Sequence, residues 1–231
     1  MTQTPKAHPM FSPGKFVEIP GEFLAQIADD SDRIPRLYYA DNWVLRRTFW
    51  QRLHVLHRLM KRLLAEGGSG LDLGGGSGVM LPTLSAQFRR VTLVDLEATQ
   101  AVLVKKHYDL ANVEIVQGDI SALDFSQSRF DAAIAADVLE HFQDLRVPVD
   151  VLKRWLAPHG LLFTSLPTEN WVYQILRKVF GIQKPLDHYH TGYEVEDFLE
   201  SNGFQRVRTV FVPFYIPVAP LFLVSAWRLA R

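Results

Sequence analysis

A chain of 231 residues, 48% hydrophobic and 22% charged, has ordinary globular composition and length enough for a full core. Its 25 basic residues balance its 25 acids, so no net field draws it to nucleic acid or to acidic lipid. It contains no cysteine, which excludes disulfides, thiolate metal sites and a cysteine nucleophile, and which suits a reducing cytoplasm.

Residues 1 to 42 are rich in proline and turn formers and read as an irregular N-terminal extension with one helical candidate, GEFLAQIADD. The opening MTQTPKAHPMFSPGKF lacks the basic start and apolar run of a secretory signal. Residues 43–231 read as one domain. It starts with WVLRRTFWQRLHVLHRLMKRLLAEGG, in which Trp43, Leu45, Phe49, Trp50, Leu53, Leu56, Leu59, Met60 and Leu63 recur at helical spacing. Gly67 and Gly68 supply the stop. Over residues 43–65 this helix carries Arg46, Arg47, Arg52, Arg58, Lys61 and Arg62 and no acid. A solvated cationic face behind a core stripe accounts for this. So does peripheral contact of 43–65 with an anionic membrane surface, with Trp43, Phe49 and Trp50 as anchors. No second basic cluster of this density follows, so nucleic acid is not an expected partner.

Short apolar runs then alternate with longer helical patterns. GLDLG, VTLVD, VEIVQ, FDAAIAA and GLLFTSL read as strands; VMLPTLSAQF, ATQAVLVKKHYDL and DVLEHFQDLRVPVDVLKRWL read as helices between them. Strands this continuously apolar suit a parallel sheet covered on both faces, and the alternation implies a doubly wound α/β fold. TGYEVEDFLESNGF is a further helix stopped by Gly203. QRVRTVFVPF and LFLVSAWRL are linked closely enough to pair antiparallel. Pro213, Pro217 and Pro220 break the apolar tail, so it is read as two strands and a turn and not as a membrane span.

Directly after the first strand, LDLGGGSG places Gly74, Gly76 and Gly78 in a GxGxG turn. Glycine there permits positive φ and lets a ligand lie against the backbone, at the carboxyl end of a strand where open α/β sheets bind ligands. A dinucleotide fingerprint needs its third glycine at position 79, which is valine, and no lysine followed by Ser or Thr completes a P-loop. Asp95 ends the second strand, where its carboxylate can accept both ribose hydroxyl protons. Asp119 ends the third and can accept from an exocyclic amine such as adenine N6; Leu96 and Ile120, which follow the two acids, can sandwich the base. Read without a ligand, the turn is merely tight and both aspartates are strand-end turn formers. An adenosine-containing ligand accounts for more of the pattern.

These stretches resemble, in order and spacing, the motifs of class I S-adenosylmethionine-dependent methyltransferases, over residues 65 to 231. LDLGGGSG, with Asp72 on the approach strand, resembles their first motif; VTLVD resembles the ribose strand, QGDI the adenine strand and FDAAIAADVLEHF the fourth-strand motif. The resemblance implies a seven-stranded Rossmann-like sheet, mostly parallel with an antiparallel last strand and helices on both faces. It implies S-adenosylmethionine as cofactor, S-adenosylhomocysteine as product and Asp72, Gly74, Gly76, Gly78, Asp95, Leu96, Asp119 and Ile120 as its binding residues.

DVLEH follows the fourth strand, and a helix there puts Asp137 and His141 on one face. Asp137, Glu140 and His141 resemble the ExxEH metal site of ubiquinone-pathway O-methyltransferases and of small-RNA terminal methyltransferases, with aspartate in place of the first glutamate. The alternatives are a base role for His141, or a helix brace without metal. DHYHTGY offers His188 and His190 over the site, in competition with a simple capping role for Thr191 and Glu194. The expected function is methyl transfer, O-methylation first, to a small apolar, lipid-like or aromatic acceptor. A non-catalytic adenosine-cofactor binder and a nucleotide-dependent oxidoreductase are the competing readings.

Overall fold

Each central strand of this chain is apolar on both sides, and the sheet they form is covered on both faces. A computed structural model describes residues 14–28, 34–125, 129–180 and 187–230. The sequence readings made on residues 1–13, on the Asp29-Asp30 end of the first helical candidate and on 181–186 lie outside these. Strands β1 (Ser69–Leu73), β2 (Arg90–Asp95), β3 (Val113–Gln117), β4 (Phe130–Ala136), β5 (Leu156–Pro167), β6 (Phe204–Val212) and β7 (Phe222–Leu229) form one sheet in the order β3-β2-β1-β4-β5-β7-β6. Every pairing from β3 to β5 is parallel; β7 alone is reversed, running antiparallel to both β5 and β6. The expected mostly parallel sheet with one reversed strand is therefore present.

Helices α1 (Gly21–Ile27), α2 (Trp43–Leu63), α3 (Leu81–Gln87) and α4 (Thr99–His107) belong to one face. Their side chains meet Val91, Leu93, Ala132, Ile134 and Phe163. Helices α5 (Arg146–Trp155) and α7 (Gly192–Ser201) cover the other, against Leu71, Leu73, Ala133, Ala135 and Leu162. Successive residues of β4 and β5 thus serve opposite cores, the period-2 consequence of a strand buried on both sides. Residues of the N-terminal extension join the first core: Ile19, Leu24, Ile34 and Tyr38 are buried there. The backbone N–H of Val17 donates to Thr83 Oγ1 at 3.0 Å.

Two elements differ from the sequence expectation. The helix expected from residue 137 begins only at Arg146. Asp137 takes a left-handed φ of 53°, a short 3-10 turn spans Leu139–His141, and Asp144 Oδ1 accepts from Arg146 N (3.0 Å) to start α5. Residues Trp171–Phe180, not assigned an element from sequence, form α6, whose first turn Asn170 caps by accepting from Tyr173 N (2.9 Å). Asn42 caps α2 likewise through Val44 N and Leu45 N. Among the described residues no helix is long and apolar enough to cross a membrane.

Candidate active site

The chain turns back beside its own first strand between β1 and β4, and the site lies at the carboxyl ends around that switch point. After β1, Gly74, Gly76 and Gly78 have φ of 66°, 46° and 74°. The first and second of these differ in surroundings. A Cβ on Gly74 would fall 2.1 Å from Val138 Cγ2, so this glycine lets the segment after β4 close onto the turn. A Cβ on Gly76 would meet nothing nearer than Asp95 Oδ2 at 3.7 Å, so that side of the turn is open to a ligand. The N–H of Gly76 donates to Asp95 Oδ2 (2.8 Å) and that of Glu97 to Asp95 Oδ1 (3.0 Å), which fixes the carboxylate beside the turn.

Asp72 lies beneath, 3% exposed, and its Oδ2 has no hydrogen-bond partner among the described residues. Burial, reinforced by the charge of Asp95, raises its pKa to about 7. Asp119 is exposed at the end of β3. Its Oδ1 accepts from Ser121 N (2.8 Å), a bond that holds the carboxyl below its usual range. Leu96 stands 67% exposed beside Asp95, whereas Ile120 is buried. The structure thus brings the expected cofactor residues to one edge, with a glycine cradle, two carboxylates and one exposed apolar side chain.

The DVLEH stretch is not helical, and its three candidate ligands part company. Asp137 turns onto α2, its Oδ2 2.6 Å from Arg52 Nη2. Glu140 is fully buried, and neither carboxyl oxygen has a hydrogen-bond partner among the described residues. Burial first, and then the charge of Asp137, lifts its pKa well above the usual carboxyl range. His141 faces the 187–190 segment. Tyr189 N and His190 N both donate to the carbonyl of Glu140 (2.9 and 3.4 Å), which clamps that segment on the turn. The His141 and His188 rings consequently meet edge to face with centroids 4.6 Å apart. Ligand atoms of Glu140, His141 and His188 lie within 4.8 Å of one another, a trio in which His188 stands where the sequence suggested Asp137.

Carboxylates hold the two imidazoles. His188 Nδ1 lies 3.2 Å from Glu169 Oε1, and Asp187 Oδ2 lies 2.9 Å from His141 Nδ1. The second contact is an ion-pair distance without hydrogen-bond geometry, since His141 Nδ1 remains unmatched as a bonding atom. His190 points elsewhere, its Nε2 3.3 Å from the Gln143 carbonyl. Thr191 and Glu194 form the expected capping box at the start of α7.

Sequence reasoning did not single out Glu169 or Arg177, and it counted Arg52 with the solvated cations of α2, whereas the structure buries it. Arg52 is 1% exposed; its Nη2 also donates to Tyr38 Oη (2.9 Å), and its Cζ lies 4.0 Å from the Phe49 ring centroid. A signal was present: position 52 falls on the apolar stripe, three residues after Phe49 and four before Leu56. Arg177 Nη2 donates to Glu169 Oε1 (2.8 Å). Between α2, α6 and the start of β7 lies a cavity of ≈ 60 Å³, lined by Leu45, Phe49, Tyr173, Arg177, Phe180 and Phe222 among others.

Residues 45–215 match the family model described as a methyltransferase domain. A ubiquinone biosynthesis O-methyltransferase of Xylella fastidiosa (strain M23) is 29% identical over 113 residues, which is 48% of this chain and 46% of that protein. An (S)-coclaurine N-methyltransferase of Thalictrum flavum subsp. glaucum is 28% identical over 107 residues, 44% of this chain and 29% of that protein. The chain therefore spans less than half the length of these curated relatives. In fold it is similar to the N-methyltransferase NodS of Bradyrhizobium japonicum WM9, solved with S-adenosyl-L-homocysteine: TM-score 0.64, 19% identity, 91% of this chain and 97% of that one. It is also similar to the magnesium protoporphyrin IX methyltransferase ChlM of Synechocystis PCC 6803 with bound SAH: TM-score 0.65, 18% identity, 92% and 100%. With the glycine turn, the switch-point site and the reversed β7 in place, the match over 45–215 means that this chain belongs to the class I S-adenosylmethionine-dependent methyltransferases.

Proposed function

We propose that the chain methylates a small apolar, lipid-like or aromatic acceptor, and that the acceptor atom is an oxygen. The observation that carries this reading is the apolar cavity between α2 and α6, which adjoins the buried polar group formed by Arg177, Glu169, His188 and His141. The rim is apolar too. Trp43 and Val44 of α2, Trp171, Ile175, Val179 and Phe180 of α6, and Phe214, Ile216 and Val218 before β7 are all exposed. An acceptor leaving an apolar phase would meet this rim first, and Arg46, Arg47 and Arg58 on α2 add cations suited to peripheral contact of 43–65 with an anionic membrane.

Bound S-adenosylmethionine supplies an already activated methyl group. The remaining work of the chain is to hold donor and acceptor in line, to exclude water and to take up the acceptor's proton. The glycine turn, Asp72, Asp95, Leu96, Asp119 and Ile120 hold the cofactor. His188, steadied through Nδ1 by Glu169, offers Nε2 to an acceptor hydroxyl, and His141 stands beside it. Incubation with methyl-labelled cofactor and a cell extract, followed by solvent partition, tests the reading. Label in the organic phase supports it; label only in water-soluble metabolites or precipitated macromolecule overturns the acceptor class. Cofactor binding with no transfer to any fraction favours a non-catalytic binder.

One observation favours a second reading, in which a divalent cation takes part. A carboxylate oxygen of Glu140, unmatched among the described residues, lies within 4.8 Å of ring nitrogens of His141 and His188, a donor set that fits such an ion. These three residues would hold it, and it would orient a diol or catechol acceptor. Metal analysis of the purified protein, with a chelator control on activity, separates the two readings.

A further inference from the structure

Among the described residues that line the proposed acceptor cavity, Arg177 is the one charged side chain. Arg177 is 9% exposed, and while its Nη2 is engaged by Glu169, its Nε and Nη1 have no hydrogen-bond partner among the described residues. Its Cζ lies 4.7 Å from the Tyr173 ring centroid, and Tyr173 and Phe222 pack edge to face at 5.7 Å, so aromatic walls flank the guanidinium and limit its access to water. Buried guanidinium donors left unmatched are costly, and a protein tolerates them where a ligand completes them. The free donors call for a ligand that accepts hydrogen bonds. A single carboxylate, Glu169, serves both Arg177 Nη2 at 2.8 Å and His188 Nδ1 at 3.2 Å through the same oxygen, Oε1. Behind Phe49 and Phe222, Arg52 repeats the pattern: it is paired with Asp137, yet its Nε and Nη1 also lack partners. Among the described residues, two buried guanidiniums with four unmatched nitrogens therefore back an otherwise apolar cavity.

We infer that the acceptor is an amphipathic acid whose carboxylate is read by Arg177 in the cavity between α2 and α6; at ≈ 60 Å³ the cavity takes that end of the molecule, and the apolar body extends outward past the half-exposed Phe180. This deepens the proposed function, because it names the acceptor's chemical class. A carboxylate completes the free donors with charge-assisted bonds, about twice as strong as those a neutral amide or alcohol would make. Glu169 Oε1 contacts both Arg177 and His188, so an acid read by Arg177 would lie one carboxylate away from the proposed base. Arg177 is thus a specificity-determining residue, and Arg52, which is screened by Phe49 and Phe222, supports the field from behind.

The experiment is a calorimetric comparison of 4-hexylbenzoate with the isosteric neutral 4-hexylbenzamide, each measured with and without saturating S-adenosylhomocysteine. The acid is expected to bind at least about tenfold more tightly than the amide, the difference a charge-assisted bond supplies. Arg177→Gln should remove that preference by weakening acid binding about tenfold more than amide binding, and Arg177→Lys should keep part of it. Equal affinities in the wild-type protein, or no binding of the acid, would overturn the assignment. So would loss of amide binding in Arg177→Gln with the melting temperature unchanged, since Arg177 would then shape the wall without reading charge. If the acid preference survives but S-adenosylhomocysteine neither binds nor raises the melting temperature, the anion site stands and the methyltransferase reading is what fails.

Discussion

At the carboxyl ends of β1, β2 and β3 the ligand-facing groups come from three short stretches, each directly after its own strand, and much of the contact surface is backbone. Around α2 and α6 they come from side chains that the sequence scatters from Tyr38 to Phe222. The cofactor end is held by hydrogen bonds that are already made, such as Gly76 N to Asp95, and it leaves one side open. The end proposed to take the acceptor is held by buried ions, several of whose atoms remain unmatched among the described residues. A scaffold serving one invariant ligand can be made of glycines and fixed acceptors. Selecting among acceptors requires costly buried charge, which only the right ligand completes.

Substitutions at each end test that contrast, and the largest effect is expected at Gly74. Gly74→Ala adds a methyl 2.1 Å from Val138 at a left-handed φ of 66°. Steric conflict and backbone strain together should destabilise the protein by about 4 kcal/mol in urea denaturation and abolish cofactor binding. Arg52→Ala comes next. It leaves Asp137 without its ion-pair partner, and because the Asp137 side chain is 25% exposed the loss should be near the lower end of the buried-pair range, about 3 kcal/mol. A loss under 0.5 kcal/mol would mean that the acceptor end is not held by its ions.

Asp72 gives a pH signature. Its folded-state pKa of about 7 lies above the ordinary 3.8, so the folded protein holds this proton more tightly than the unfolded chain. That contribution is fully present below pH 3.8 and is lost as pH rises through 7. Stability of the cofactor-free protein should fall over this window by up to about 1.4 kcal/mol per pH unit, and Asp72→Asn should remove the slope. Gly76→Ala should cost only about 1 kcal/mol in folding, since its Cβ finds open space, yet weaken cofactor binding tenfold or more by titration. Equal behaviour of the two glycine variants would erase the distinction drawn between the closed and open sides of the turn. Thr191→Ala, at a capping box belonging to neither end, should cost about 1 kcal/mol with little change in cofactor affinity.

The fold was legible because its signals are local. Continuous apolar runs gave both-sided burial, and glycine, Asp95 and Asp119 each follow a strand within a residue or two. The active-site turn was less legible. DVLEH reads as helix by spacing, but the left-handed φ at Asp137 redirects that side chain to Arg52 and leaves Glu140 and His141 to meet His188. No local pattern encodes that exchange. It depends on Tyr189 and His190 donating to the Glu140 carbonyl across 49 and 50 positions of sequence. Glu169 and Arg177 escaped notice for a related reason, since their pairing appears only once α6 packs beside the cavity.

The N-terminal segment carries a practical warning. The family match begins at residue 45, which makes it tempting to trim the gene there for expression. Such a cut would delete Leu24 and Tyr38 from the core, and with Tyr38 the hydroxyl that accepts from Arg52 and the carbonyl that accepts from Trp50 Nε1. The shortened product would be expected to precipitate or to bind cofactor without turning over acceptor, and its failure could be mistaken for absence of enzymatic activity. For this protein the useful cloning boundary lies upstream of Ile19.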